Sequence, residues 1–212
     1  FAHLVDKIEG ESHGHIGTGL IGGQYLNQVL ADYGRPDLSY TIATQTDYPG
    51  WGYMIQEGAT TIWELWNGNT AEPSMNSHNH VMLVGDLVVW LYEYMAGIAP
   101  DETNPGFKHL VMRPHPVGDL AWVKCSFRSP YGLVRSEWQR EDDEFAWQIT
   151  VPPNTTATAY VPAAPRSTWG AAGQTAEPRP RSGGVMARPD AGGQDREAFH
   201  LLAEDRLVRS GP

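Results

Sequence analysis

The stretch Asp47–His80, DYPGWGYMIQEGATTIWELWNGNTAEPSMNSHNH, decides how the rest of the chain reads. It places Trp51, Trp63 and Trp66 around one carboxylate, Glu64, and closes on Asn76, Asn79 and His80. Glycines and prolines interrupt any helical or strand period, which predicts loop and short extended segments between two helices. Aromatic faces beside an acid suit a sugar ring and proton chemistry on it. A hydrophobic core with a solvated glutamate is the plain alternative.

Upstream of this stretch, the sequence is helical. Phe1, Leu4, Val5 and Ile8 form one helical face. A polar loop, Gly10–Gly19, carries His13 and His15, and Thr18 is placed to cap the next element. Leu20, Ile21, Tyr25, Leu26, Val29, Leu30 and Tyr33 recur at three- and four-residue steps until Gly34, predicting an amphipathic helix. Arg35-Pro36-Asp37 opens another, with Leu38 and Ile42 on its face, that ends at Asp47-Tyr48-Pro49-Gly50. Downstream, Ser77–Ala96 reads as a helix apolar on nearly every side, buried on more than one face and stopped by Gly97.

Beyond Ile98 the character changes. Ala99–Gly106, APDETNPG, is the best boundary in the chain and divides residues 1–98 from 99–162. Short β-like runs follow at Lys108–Arg113, Leu120–Arg128, Gly132–Glu141, Glu144–Val151 and Thr156–Val161. Turn signals separate them, predicting a small antiparallel β-sandwich after the helices. Residues 163–212 read as a loosely packed or divergent tail rich in Gly, Pro, Ala and Arg, with Arg196–Val208 open between helix and strand.

Composition narrows the function. A chain of 212 residues that is 41% hydrophobic and 19% charged is of globular type. A formal charge of −10 is the wrong sign for nucleic acid or an anionic membrane surface. The single cysteine, Cys125, excludes an internal disulfide and a multi-cysteine zinc site. The longest apolar stretch, Val81–Ile98, contains Asp86 and Glu93 and falls short of a membrane span. The chain opens on Phe1 as if a helix were already under way, which predicts a fragment. One cysteine and no visible signal sequence lean towards the cytoplasm.

Three kinds of chemistry compete. The pairs His13/His15 and His78/His80, with Glu11, offer metal-ligand atoms, but nothing in their spacing makes them converge, so no metal or other cofactor is expected. No serine sits in a G-x-S-x-G elbow, and Cys125 lies in a predicted strand, which disfavours nucleophilic catalysis. Carboxylate chemistry on a sugar remains, centred on Glu64, with Asp47, Glu57 and Glu72 as neighbouring acids that read as caps or solvated residues. A non-catalytic carbohydrate-binding or scaffold module would use the same tryptophans.

The run GWGYM at 50–54, GATTIWELW at 58–66 and MNSHNH at 75–80 resembles the bacterial α-L-rhamnosidases of glycoside hydrolase family 78. The likeness continues through AGI at 96–98, PGFKH at 105–109, SPYG at 129–132 and VPPNTTA at 151–157. The resemblance implies part of an (α/α)6 barrel followed by a C-terminal β-sandwich, and inverting hydrolysis of rhamnose-containing glycosides. It implies Glu64 as general base, His80 as a contact to the bound sugar, and Trp51, Trp63 and Trp66 as walls or supports of the pocket. The family's general acid lies on an earlier acid-rich segment that has no counterpart here. An inverting pair needs both carboxyls, about 6.5–9.5 Å apart. The chain alone is therefore expected to turn over little substrate and to leave apolar helix faces exposed. The other open alternative is an (α/α)6 hydrolase or lyase acting on a different sugar.

Overall fold

A computed structural model of the chain describes residues 1–80, 84–142, 144–162, 196–202 and 205–210. Helices come first and strands second, and the chain divides into two compact units, Phe1–Leu91 and Tyr92–Pro212.

In the first unit, α1 (Ala2–Asp6) runs into a π-helical turn, Lys7–Glu11. After it come α2 (Leu20–Asp32) and α3 (Pro36–Thr44). Leu26 and Leu30 of α2 meet Leu38 and Ile42 of α3 in one cluster with Ile8, Ile16 and Trp51. Leu30 and Ile42 are wholly buried, worth about 1.5–3 kcal/mol each. The buried Ser39 hydroxyl donates to the Asn27 carbonyl at 2.8 Å and ties α3 to α2. Arg35 donates to Glu9 at 2.6 Å and to Asp37 at 2.8 Å, fastening the π-helical turn to the start of α3.

Several details differ from the sequence reading. Gly19, not Thr18, caps α2: it is extended, and its carbonyl accepts from Gly23 at 2.9 Å. Ile21, Tyr25 and Tyr33 stand on the exposed side of α2, so its apolar stripe is wider than its buried one. A short helix, α4 (Trp51–Gln56), lies inside the stretch expected to be loop. Its Trp51 and Met54, three residues apart, are both buried. Gly52 lets α4 approach the preceding turn, since a Cβ there would stand 2.3 Å from the Gln45 carbonyl oxygen.

The helix expected from Ser77 starts later. The chain stays non-helical through His80, because the Ser77 and His80 amides are held by Glu64 and Ile62. A 3-10 turn at Val84–Asp86 leads into α5 (Leu87–Trp90) and a π-helical turn, Leu91–Met95. Trp90 is buried, while Val88 and Leu91 are half exposed, so the burial on several faces is not observed for these residues. Residues 81–83 of that expected helix lie outside the described residues.

The second unit holds eight strands among the described residues: β1 (Ile98–Pro100), β2 (His109–Met112), β3 (Trp122–Ser129), β4 (Gly132–Glu141), β5 (Glu144–Thr150), β6 (Thr156–Pro162), β7 (Arg196–Leu202) and β8 (Asp205–Ser210). They form two four-stranded sheets, ordered β1-β2-β6-β7 and β3-β4-β5-β8. The all-antiparallel expectation fails at one pair. β2 runs parallel to β6, which the three intervening strands make possible by supplying a long crossover. β1 takes the first two residues of the expected linker, pairing Ile98 with Met112. Arg196–Val208, left open by the sequence, enters one strand of each sheet. Residues 163–195 lie outside the described residues.

Both sheets contribute to one core, with Leu110, Met112, Ala157 and Val161 from the first and Val134, Trp138, Trp147 and Ile149 from the second. Two indoles and a serine hydroxyl inside it are paired. Ser136 Oγ donates to the Ala96 carbonyl at 2.5 Å and accepts from Trp147 Nε1 at 2.8 Å. Trp138 Nε1 donates to the Met95 carbonyl at 2.8 Å. Gly97 turns the chain into β1 at φ +72°, with its Cα so near the next segment that a Cβ would meet the Pro114 nitrogen at 2.2 Å. Among the described residues no helix is long and apolar enough to cross a membrane.

Candidate active site

Two non-helical segments, Ile62–Glu64 and Ser77–His80, run past one another in opposite directions. The Glu64 amide donates to the Ser77 carbonyl at 2.9 Å, and the His80 amide to the Ile62 carbonyl at 2.8 Å. Thr61 adds a hydroxyl bond to the His78 carbonyl. Residues 13 to 18 apart in sequence are thereby locked side by side without forming a regular sheet.

The Glu64 side chain is anchored by the same pairing. The Ser77 amide donates to Glu64 Oε2 at 3.0 Å. His80 Nδ1 stands 3.9 Å from that same oxygen, beyond a hydrogen bond but within ion-pair reach when the imidazole is protonated. The Glu64 side chain keeps 30% of its exposure and His80 keeps 19%, so both can be reached from solvent. Among the described residues, no protein donor bonds Oε1. A carboxylate with one oxygen pinned and the other open can take a proton from water.

The loop between the two segments is tied down from within. Asn76 Oδ1 accepts from the Leu65 amide at 3.3 Å, and Asn76 Nδ2 donates to the Gly68 carbonyl at 3.2 Å. His78 Nε2 lies 3.1 Å from the same carbonyl, which can only accept, so the ring carries its proton on Nε2. Gly68 lies flat on the indole of Trp63, where a Cβ would come within 2.7 Å of the ring. The His78 ring also packs against Trp63, with centroids 5.7 Å apart.

The three tryptophans expected around the acid divide by burial. Trp51, at the start of α4, and Trp63 are interior residues, 5% and 6% exposed. Trp66 is partly exposed; its ring meets Trp51 edge-on at 5.2 Å, and its Nε1 donates to the Thr18 carbonyl at 2.9 Å. The structure thus brings Glu64 and His80 together, with Trp63 beneath the loop they flank and Trp51 packed on Trp66. The other acids serve local bonds: Glu57 accepts from Asn69 at 2.8 Å, and Glu72 from Ser74 at 3.3 Å. Asp47 is exposed. Among the described residues no three His, Cys, Asp or Glu side chains gather as a metal site would require. Ser77 and Gly68 were not singled out by the sequence reading, and Asn76 only as part of a cluster. Ser77 and Gly68 contribute through backbone groups, which residue type does not advertise, and Asn76 contributes through a side-chain amide whose partners are set only by the loop.

Residues 2–95 match the family described as bacterial alpha-L-rhamnosidase 6 hairpin glycosidase domain. Residues 97–176 match the bacterial alpha-L-rhamnosidase C-terminal domain. The chain is 39% identical over 165 residues to an alpha-L-rhamnosidase of Streptomyces avermitilis, a match covering 76% of this chain and 16% of that protein. It is 35% identical over 178 residues to one from Alteromonas sp. strain LOR, covering 82% of this chain and 19% of that protein. The crystal structure of the S. avermitilis alpha-L-rhamnosidase complexed with L-rhamnose superposes with a TM-score of 0.83 at 32% identity, over 98% of this chain and 19% of that one. The alpha-L-rhamnosidase structure from Dictyoglumus thermophilum gives 0.84 at 28% identity, over 100% of this chain and 23% of that one. The chain thus spans less than a quarter of the length of these relatives. Carrying both domains in the order and position the matches define, it belongs to the bacterial α-L-rhamnosidase family.

Proposed function

We propose that this chain supplies the general base and part of the sugar pocket of an inverting α-L-rhamnosidase. On this reading residues 1–98 are part of an (α/α)6 catalytic barrel and residues 99–162 belong to a β-sandwich that follows it. Glu64, ionised, accepts a proton through Oε1 from a water attacking the anomeric carbon on the face opposite the leaving group. His80 orients a hydroxyl of the rhamnose ring. Trp66 flanks the sugar, and Trp51 and Trp63 support the pocket from inside.

The observation that carries the reading is the anchored carboxylate. Ser77 holds Glu64 Oε2 at 3.0 Å with His80 at 3.9 Å, while the side chain stays open to solvent. Inversion requires a second carboxyl to protonate the departing oxygen across an intervening water. The family segment that bears it has no counterpart in this sequence, so residues 1–212 alone are expected to turn over little rhamnoside.

The test is Glu64→Gln in a complete enzyme carrying this segment, assayed on an aryl α-L-rhamnoside. Loss of a positioned base lowers kcat by about 10²–10⁴-fold. KM is expected to stay within a few-fold, because the amide keeps the shape of the carboxyl. NMR of the first-formed product should show the inverted anomer. Near-normal turnover by Glu64→Gln would overturn the assignment, and saturable rhamnose binding by the isolated chain without turnover in the complete enzyme would favour a binding module.

A further inference from the structure

The loop from Leu65 to Asn76 carries a second device around Glu64. Asn76 spans it from inside: its carbonyl oxygen takes the Leu65 amide at 3.3 Å, and its amide nitrogen gives to the Gly68 carbonyl at 3.2 Å. Leu65 follows the acid directly and Ser77 follows Asn76, so one side chain links the two positions that set Glu64 in place. The Ser77 amide in turn holds the carboxylate at 3.0 Å.

The far end of this link is rigid. The Gly68 carbonyl accepts from both Asn76 Nδ2 and His78 Nε2. The Gly68 backbone also rests on the buried indole of Trp63, at a spacing only a residue without Cβ fits. Asn76 is therefore a strut between a fixed point and the residue next to the base.

We propose that Asn76 is a positioning residue for Glu64: it sets the direction of the carboxylate by clamping Leu65 and Ser77 against the Gly68–Trp63 platform. The inference rests on Glu64 being the general base. Neither half of the amide can be omitted. Asparagine is the residue that presents an acceptor to Leu65 and a donor to Gly68 at this length. Aspartate retains the acceptor but sets a second oxygen against the Gly68 carbonyl, and alanine has neither group. A misdirected base slows proton transfer without changing how the sugar is gripped, since small displacements from the reactive geometry weigh on rate.

The experiment is a double-mutant cycle in a complete enzyme carrying this segment, with an aryl α-L-rhamnoside as substrate. Asn76→Ala is expected to lower kcat about 10–100-fold with KM within twofold, and Asn76→Asp to fall in the same direction. Thermal unfolding of each variant shows that the fold is retained. In the Glu64→Gln background, read by long incubations, adding Asn76→Ala should lower turnover by less than twofold, because no base remains to be directed. An equal loss in both backgrounds would overturn the positioning role while leaving Glu64 as base. Unchanged kcat in Asn76→Ala would overturn it too. Normal turnover by Glu64→Gln alone would remove the base assignment and this inference together.

Discussion

The indole nitrogen of Trp66 donates to the carbonyl of Thr18 at 2.9 Å, joining residues 48 apart in sequence. This bond fastens the loop before α2 to the segment that carries Glu64. The Trp66 ring completes the link by packing edge-on against Trp51 at 5.2 Å. Trp66→Phe removes the bond and keeps most of the packing, so it is expected to destabilise the chain by about 1 kcal/mol. Trp66→Ala also removes the ring contact and should lose more, about 2–4 kcal/mol. Urea unfolding of the two variants beside the parent checks the order.

Ser136 is the polar hinge of the second unit's core. It is wholly buried, donates to the Ala96 carbonyl at 2.5 Å and accepts from Trp147 Nε1 at 2.8 Å. Ser136→Ala would strand a buried donor and a buried acceptor at once, a loss of about 2–4 kcal/mol. Chemical denaturation followed by tryptophan fluorescence would register it, and a change below 0.5 kcal/mol would contradict the pairing.

Gly97→Ala is expected to be worse than its size suggests. The backbone sits at φ +72°, and the added methyl would meet the Pro114 nitrogen at 2.2 Å. Strain of this kind is about 1–3 kcal/mol before the clash is added. The variant should show a markedly lower unfolding midpoint by calorimetry, whereas Gly58→Ala, at φ +84° but with open space around it, should show only the strain.

The acid limb of stability has a specific contributor. The hydrogen bond from Arg35, opposed by partial burial and reinforced by the arginine's charge, holds the Asp37 carboxyl below its ordinary range. The same contacts with Asp37 and Glu9 raise Arg35. Because the folded value of Asp37 is the lower one, its stabilisation is fully present above the ordinary aspartate range. It is lost as pH falls through the depressed folded value. Both carboxylates are more than half open to solvent or close to it, so the amount is below about 1 kcal/mol. Asp37→Asn should flatten the pH dependence of the unfolding midpoint on the acid side and leave it unchanged in slope near neutrality.

Burial raises the Cys125 thiol above its ordinary range. Alkylation by iodoacetamide at neutral pH is expected to be slower than for free cysteine and to accelerate when the second unit unfolds. Mass spectrometry against denaturant concentration would follow it.

Much of this fold was legible from short-range pattern. The four-residue spacing of Leu26 and Leu30, and of Leu38 and Ile42, located α2 and α3, which the structure packs into one core. Alternation around Val134, Ser136 and Trp138 located β4, whose inward residues these are. What pattern could not supply depends on partners distant in sequence. β1 is three residues long and exists because Ile98 meets Met112. Ser77 and His80 belong to no helix because Glu64 and Ile62 claim their amides. The site followed the same division. Glu64 and the tryptophans were visible by type, but the burial of Trp51 and Trp63, and the strut from Asn76, arise only when the loop closes on itself.

The order of strands within the two sheets has a consequence for biosynthesis. β7 pairs with β6 in one sheet and β8 with β5 in the other, so among the described residues these two late strands complete both. A ribosome delivers them after β1 to β6, and until then β5 and β6 present open edges. Such edges recruit strands from other chains. A message truncated just before Arg196 would therefore yield a product prone to self-association through two ladders at once, even with the whole Glu64 loop intact.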